Sequence, residues 1–163
     1  MAQLQKITPC PWFDGQAEEA AKLYVSIFPN SKLTNVSYYG EVGRETHGWP
    51  PDTVLAVEFT LDGQTFTALN GGPQFKFTEA VSFHVYCDTQ AEIDRYWEVL
   101  GRGGEPGVCG WLKDRYGLSW QIVPTRLPEL LADPDPARSQ RVMAAMLKMG
   151  KIEIDELERA AAA

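Results

Sequence analysis

One of the chain's two histidines sits where side-chain chemistry is simple to arrange. In Ser82-Phe83-His84-Val85-Tyr86 polar and apolar residues alternate, so on a strand Ser82, His84 and Tyr86 share a face. An imidazole there is either a proton carrier at neutral pH or a wall residue that hydrogen-bonds a neighbour. Gln121 is the second candidate. It interrupts the apolar run Leu118-Ser119-Trp120-Gln121-Ile122-Val123 and shares a face with Ser119 and Val123, while Trp120 and Ile122 share the other. Such an amide either anchors a ligand or pairs with buried polar groups. Cys10 falls between Thr8 and Trp12 on one strand face, as a reactive thiol or as a small buried hydrophobe. Trp12 and Trp111 are the indoles placed to line a pocket, whereas strand parity sends Trp120 toward a helix. Asn70-Gly71-Gly72 has the composition of a phosphate-cradling turn, but Pro73 and no helix follow. A connector that needs positive φ fits it better. His47, in a Gly- and Pro-rich loop, is expected in solvent, where a mobile loop acts as a lid.

The elements that position these residues follow from periodicity. Lys6 to Phe13 reads as a strand stopped by Asp14-Gly15. Its Pro9 and Pro11 are tolerable only at an edge or where one side goes unpaired, and they are expected to blunt that edge. Gln16 to Phe28 is an amphipathic helix with Ala20, Leu23, Tyr24, Ile27 and Phe28 in its apolar stripe. Strands at 33–39 and 53–61, a hairpin turn at Asp62-Gly63 and a return at 64–70 complete a β-α-β-β-β unit, with 40–52 as a loop. The pattern then restarts. A strand at 80–87 leads through Asp88-Thr89 into a helix at 90–100, followed by a hairpin with Trp111-Leu112 on one arm, Asp114 to Gly117 as the turn and 118–123 on the other. A structural repeat within about 120 residues implies two units that pair and enclose something.

The tail differs. A helical turn at 127–132 precedes Asp133-Pro134-Asp135-Pro136, with Asp135 as N-cap and Pro136 at the first helical position. A helix at 137–149 carries Val142, Met143, Met146 and Leu147 on one face, and a last helix is capped by Asp155.

Composition bounds the function. A net charge of −7 with no basic cluster argues against nucleic acid and anionic membrane as partners. No stretch approaches the ~18 apolar residues of a membrane span, and the first fifteen residues lack the apolar run of a secretory leader. Three cysteines, odd in number and without a CxxC, predict neither a zinc knuckle nor a disulfide framework, and point to the reducing cytoplasm.

The stretches WFDGQAEEAAKLYVSIFPNS, LNGGPQFKF, EAVSF, CGWLKDRYGLSWQIVP and the tail's DPDP resemble the PhnB-like branch of the vicinal-oxygen-chelate superfamily, whose members often carry the name demethylubiquinone methyltransferase. That superfamily also holds glyoxalase I, fosfomycin- and bleomycin-resistance proteins and extradiol dioxygenases. The resemblance implies an α+β fold of two βαβββ units, residues 7–70 and 79–124 within a domain at 1–126, whose curled mixed sheets surround a cavity. It also implies a helical extension at 127–163 and a homodimer burying well over ~1,000 Å². Its metal-ligand positions fall on Ser82 and Gln121, near Thr8, and near Ala68 or Asn70. These are neutral, weak ligands, so no metal and no cofactor is expected. The ligand cavity is expected to use Thr8, Cys10, Trp12, Asn70, Ser82, Tyr86, Trp111 and Gln121, with His84 as the catalytic candidate. No Gly-rich strand-to-helix turn with a following acidic residue supports a nucleotide-type methyl donor. Three functions remain: a metal-free small-molecule binding protein, a glyoxalase-like lyase, isomerase or transferase with a weakly bound divalent metal, and an assembly role in which side chains fill the cavity.

Overall fold

The computed structural model describes residues 4–163; residues 1–3, where the expected first domain begins, lie outside that range. The chain divides after Lys76 into two units.

The first unit runs β1 (Trp12–Phe13), α1 (Ala17–Ile27), β2 (Lys32–Tyr38), α2 (Arg44–His47), β3 (Val54–Leu61) and β4 (Gln64–Asn70). Its sheet has the order β1-β4-β3-β2, with β1 parallel to β4 and the other pairs antiparallel. Positive φ at Asp62 (46°) and Gly63 (80°) makes the tight turn between β3 and β4. Alternation sends Val57, Phe59, Phe66 and Ala68 to one face, where α1 buries Ala17, Ala20, Ala21, Tyr24 and Ile27 against them. Leu23 and Phe28, expected in the buried stripe, are only half-buried.

β1 is shorter than its sequence suggests, and the prolines are the reason. The Thr67, Leu69 and Gly71 N–H groups donate to the carbonyls of Pro9, Pro11 and Phe13, so the chain runs alongside β4 from Pro9 onward. In a parallel pair a residue's N–H and C=O point the same way. The donors missing at Pro9 and Pro11 would therefore have faced β4, and the prolines do not blunt the outer edge. Gln5 partly replaces the loss: its amide donates to the Thr65 carbonyl (3.2 Å) and accepts from the Thr65 N–H (3.2 Å).

The second unit runs β5 (Ser82–Cys87), α3 (Gln90–Gly101), β6 (Glu105–Pro106), β7 (Trp111–Lys113), β8 (Ser119–Pro124), α4 (Arg126–Leu131), α5 (Pro136–Met146) and α6 (Ile154–Ala162). The sheet order β5-β8-β7-β6, with β5 parallel to β8, repeats that of the first unit. Both sheets are open and mixed, giving the expected α+β class. Thr89 and Glu92 form a reciprocal capping box at the start of α3. β6 has no counterpart in the sequence reading, being two residues long and half proline.

The hairpin of β7 and β8 is organised by Asp114, which is 2% exposed. Its carboxylate accepts from the Tyr116 N–H (2.8 Å), the Leu118 N–H (3.1 Å) and the Trp120 indole N–H (2.9 Å). The turn and the indole beneath it are thus held by one side chain.

The tail helices close a core of Val123, Leu127, Leu130, Val142, Met149, Ile152, Leu157 and Ala161. Asp135 caps α5 with Pro136 in its first turn, as the sequence predicts. Leu147, expected on the apolar face of that helix, is exposed because α5 ends at Met146. The N-cap of α6 is Glu153 rather than Asp155, which lies inside the first turn. Gln90 ties the tail to α3, donating to the Ile152 carbonyl and accepting from the Ile154 N–H.

Candidate functional site

The register of the second sheet assembles the candidate residues. His84 lies opposite Gln121, and Gln121 opposite Trp111; Ser82 lies opposite Ser119, and Ser119 opposite Lys113. Partners in register share a face, so Ser82, His84, Tyr86, Trp111, Lys113, Ser119 and Gln121 occupy one side. Val85, Cys87, Leu112, Trp120 and Ile122 are buried on the other, the side of the sheet covered by Ile93, Tyr96 and Leu100 of α3.

Two couples stand on the polar face. The Gln121 amide donates to Ser82 Oγ at 2.8 Å. His84 Nδ1 and the Tyr86 hydroxyl are 3.0 Å apart, with the rings edge to face. His84 and Tyr86 are exposed, while Ser82 and Gln121 are half-buried. Beside the Trp111 end is a hollow of about 150 Å³, lined among others by Glu79, Glu105, Trp111, Lys113 and Ser119. Lys113 Nζ reaches Glu79 at 2.7 Å. That hydrogen bond holds the Glu79 carboxyl below the usual range and the Lys113 ammonium above it, so both are charged at neutral pH. Ser119 Oγ is buried and has no hydrogen-bond partner among the described residues.

The first unit carries the remaining candidates on its own sheet. Thr8 Oγ1 donates to the Gln5 carbonyl. Cys10 is exposed, yet partial desolvation raises its thiol above the ordinary value, so it is protonated at neutral pH. Trp12 packs edge to face on Phe75 and donates from Nε1 to the Gly72 carbonyl at 2.8 Å. Gly71 makes room for that indole: a Cβ there would sit 2.2 Å from the ring. The Asn-Gly-Gly segment is therefore a connector shaped around Trp12, with Gly72 at φ 111°. Asn70 does not face the open side. It pairs with Phe13 on the helix side, is 1% exposed, accepts from the Ala17 N–H (2.9 Å) and donates to the Val54 carbonyl (3.0 Å). Its side chain caps α1, which has no cap from its own Gln16. Lys113, Glu79 and Ser119 were not singled out by sequence reasoning. The register with Trp111 and Gln121 marks Lys113 and Ser119, and the ion pair with Lys113 marks Glu79.

The positions where the resemblance places metal ligands carry only weak donors. Ser82 and Gln121 hydrogen-bond one another, Asn70 is engaged by backbone, and all are neutral. Among the described residues no group of three or more His, Cys, Asp or Glu could hold a metal ion. This donor set does not fit a tightly held divalent cation. Among the described residues no helix is long and apolar enough to cross a membrane.

Two successive units of this order, each with an open mixed sheet and its helix on one face, define the glyoxalase/bleomycin-resistance class of fold. The family model described as 3-demethylubiquinone-9 3-methyltransferase matches residues 5–123. The chain belongs to that family, the PhnB-like branch of the vicinal-oxygen-chelate superfamily. Among solved structures it is similar to a PhnB protein from Bacillus cereus that carries the same methyltransferase name. Identity is 36%, the match covers 74% of this chain and 100% of that one, and the TM-score is 0.66. Protein PA1353 from Pseudomonas aeruginosa matches at 20% identity over 75% of this chain and 98% of its own, with a TM-score of 0.59. The fosfomycin resistance protein FosX from Mesorhizobium loti, at 16% identity, covers 81% of this chain and 98% of its own with a TM-score of 0.52, a likeness of fold. No curated protein matches the chain.

Proposed function

We propose that the chain binds a small polar molecule on the open face of its second sheet, without a metal. The observation that supports this reading is the pair of polar couples, Ser82–Gln121 and His84–Tyr86, standing beside the hollow at Trp111 and Lys113. Each couple leaves donors and acceptors unused, and the indole offers an apolar wall. The single-chain site belongs to a homodimer in a reducing, cytoplasmic setting. Three free thiols support the compartment, and the family resemblance supports the assembly.

The contact between His84 and Tyr86 favours one alternative. An imidazole whose Nδ1 is oriented by a phenol leaves Nε2 to take or give a proton, so a glyoxalase-like lyase, isomerase or transferase acting on a small oxygenated metabolite would use His84. Methyl transfer, the activity in the family's name, draws no support from the site. The β1-to-α1 turn is Asp14-Gly15-Gln16, and the Ala17 N–H at the start of that helix is already taken by Asn70.

A thermal-shift screen of small polar metabolites separates these readings. A compound that stabilises the native chain, but not Gln121→Leu or His84→Ala, is expected. Equal stabilisation of all three proteins would remove the ligand from this face. Stoichiometric metal in chelator-free preparations, lost in Gln121→Ala, would replace the binding reading with the enzymatic one.

A further inference from the structure

The ends of the segment between β2 and β3 meet through backbone bonds, Tyr39 N–H to the Thr53 carbonyl and Asp52 N–H to the Tyr39 carbonyl, and within it one histidine ties Trp49 back to Val42. Trp49 N–H donates to His47 Nδ1 at 3.0 Å, and His47 Nε2 lies 3.3 Å from the Val42 carbonyl. A backbone N–H can only donate and a carbonyl can only accept, so Nδ1 carries a lone pair and Nε2 carries the hydrogen. The ring is therefore the neutral Nε2–H tautomer. The bond from Trp49 to a side chain two residues earlier is the imidazole counterpart of an Asx-turn. Tyr39, just past the end of β2, lies against the histidine, ring centres 4.4 Å apart, and stacks on Trp49 at 6.2 Å. Its hydroxyl donates to the Asn70 carbonyl at 2.6 Å, which anchors the cluster to the end of β4.

Trp49 itself has little else to hold it. Its Nε1 is buried with no hydrogen-bond partner among the described residues, and its ring lies over Gly15, where a Cβ would be 3.6 Å away. The charged groups around the histidine bond elsewhere or lie along the flanking chain. Arg44 pairs with Glu41 on the same turn, Glu45 is exposed beside it, and Asp14 and Asp52 flank Gly15 and the loop exit. Beyond the end of β2 the facing titratable group is the Tyr39 phenol, whose proton is held on Asn70 and which burial raises above its ordinary range. None of the carboxylates hydrogen-bonds His47, so a proton added to the ring meets no acceptor in the closed segment.

We propose that residues 40–52 form an acid-released flap latched by His47. A proton on Nδ1 removes the acceptor for Trp49 N–H and sets two donors against each other, so the latch opens when the imidazole is charged. Opening releases Trp49 from Gly15 and the start of α1, while Tyr39 stays on Asn70.

Hydrogen exchange followed by mass spectrometry on peptides spanning 40–53, corrected for intrinsic rates, reads the latch directly. Protection of the segment is expected to fall about five- to ten-fold from pH 8 to pH 5, the worth of one hydrogen bond, while β5 and β8 stay unchanged. His47→Asn supplies an uncharged acceptor to the same N–H and is expected to keep protection at both pH values. His47→Ala is expected to lose it at both. Ring-nitrogen NMR should show an unprotonated Nδ1 at pH 8. Equal protection of the native chain at the two pH values, a pH response retained in His47→Asn, or a hydrogen on Nδ1 at pH 8 would each overturn the proposal.

Discussion

The two units share a strand order and differ in where they place their polar side chains. In the first, the last residue of β4, Asn70, turns inward and caps α1 from 53 residues away. In the second, α3 is capped locally by Thr89 and Glu92, and β8 ends in Pro124, which has no polar group to offer. The first strands differ likewise. β1 is cut to two residues by its prolines, whereas β5 runs for six and carries Ser82, His84 and Tyr86 on its open face. A repeated architecture has thus been divided: one copy uses polar chemistry to hold itself together, and the other leaves it exposed.

The largest test of that division is Asp114, a carboxylate that the second unit does bury. Asp114→Ala removes the acceptor for two backbone N–H groups and an indole, and should cost about 3 kcal/mol or more in chemical denaturation. Asp114→Asn, which keeps one oxygen, should cost less. Next come the two helix caps. Asn70→Ala strands both the Ala17 N–H and the Val54 carbonyl in a buried place and is expected to cost about 2 kcal/mol, against about 1 kcal/mol for Thr89→Ala at an exposed cap. Equal losses would erase the contrast between a distant and a local cap.

The last effect is silent at neutral pH. Phe13 and Cys87 each end the first strand of their unit and each is buried. Burial, with the charges of Glu92 and then Asp88, pushes the Cys87 thiol up to about 12. The folded thiol keeps its proton while the unfolded one loses it above about pH 9, so the unfolded state binds fewer protons and stability falls as pH rises from there to about 12. The loss should be roughly 1 kcal/mol per pH unit. Cys87→Ala should flatten this part of the alkaline slope. An unchanged slope would show that the thiol ionises as freely in the fold as outside it.

Local signals carried most of the fold. The Asp62-Gly63 turn, the Thr89 cap, the Asp135-Pro136 start and the alternation in β5 each depend on neighbours in sequence, and all stand in the structure. Asn70 was misread because its partners, Ala17 and Val54, are distant in sequence, and an Asn before two glycines looks the same whether it faces in or out. Asp114 was visible only as a turn residue. Its indole partner six positions later required the hairpin to be built first. The polar face followed from parity, whereas the hollow beside it, made by Lys113, Glu79 and Ser119, depends on cross-strand register that no single segment encodes.

The inward-facing prolines of the first strand reveal a competition between two alignments of the same segment. Turning the strand over by one residue would present the N–H groups of Cys10 and Trp12 to β4 and recover two ladder bonds, together about 1–3 kcal/mol. It would also throw Phe13, 2% exposed, out of the core at a cost of about 1.5–3 kcal/mol, and would pull Trp12 off Gly71 and Gly72. The observed alignment gives up backbone pairing for side-chain partition, with the Gln5 amide making good part of the difference at Thr65. Two nearly balanced alignments make this strand the place where a single substitution, Gln5→Ala or Phe13→Ser, would most readily change which side chains of β1 face α1.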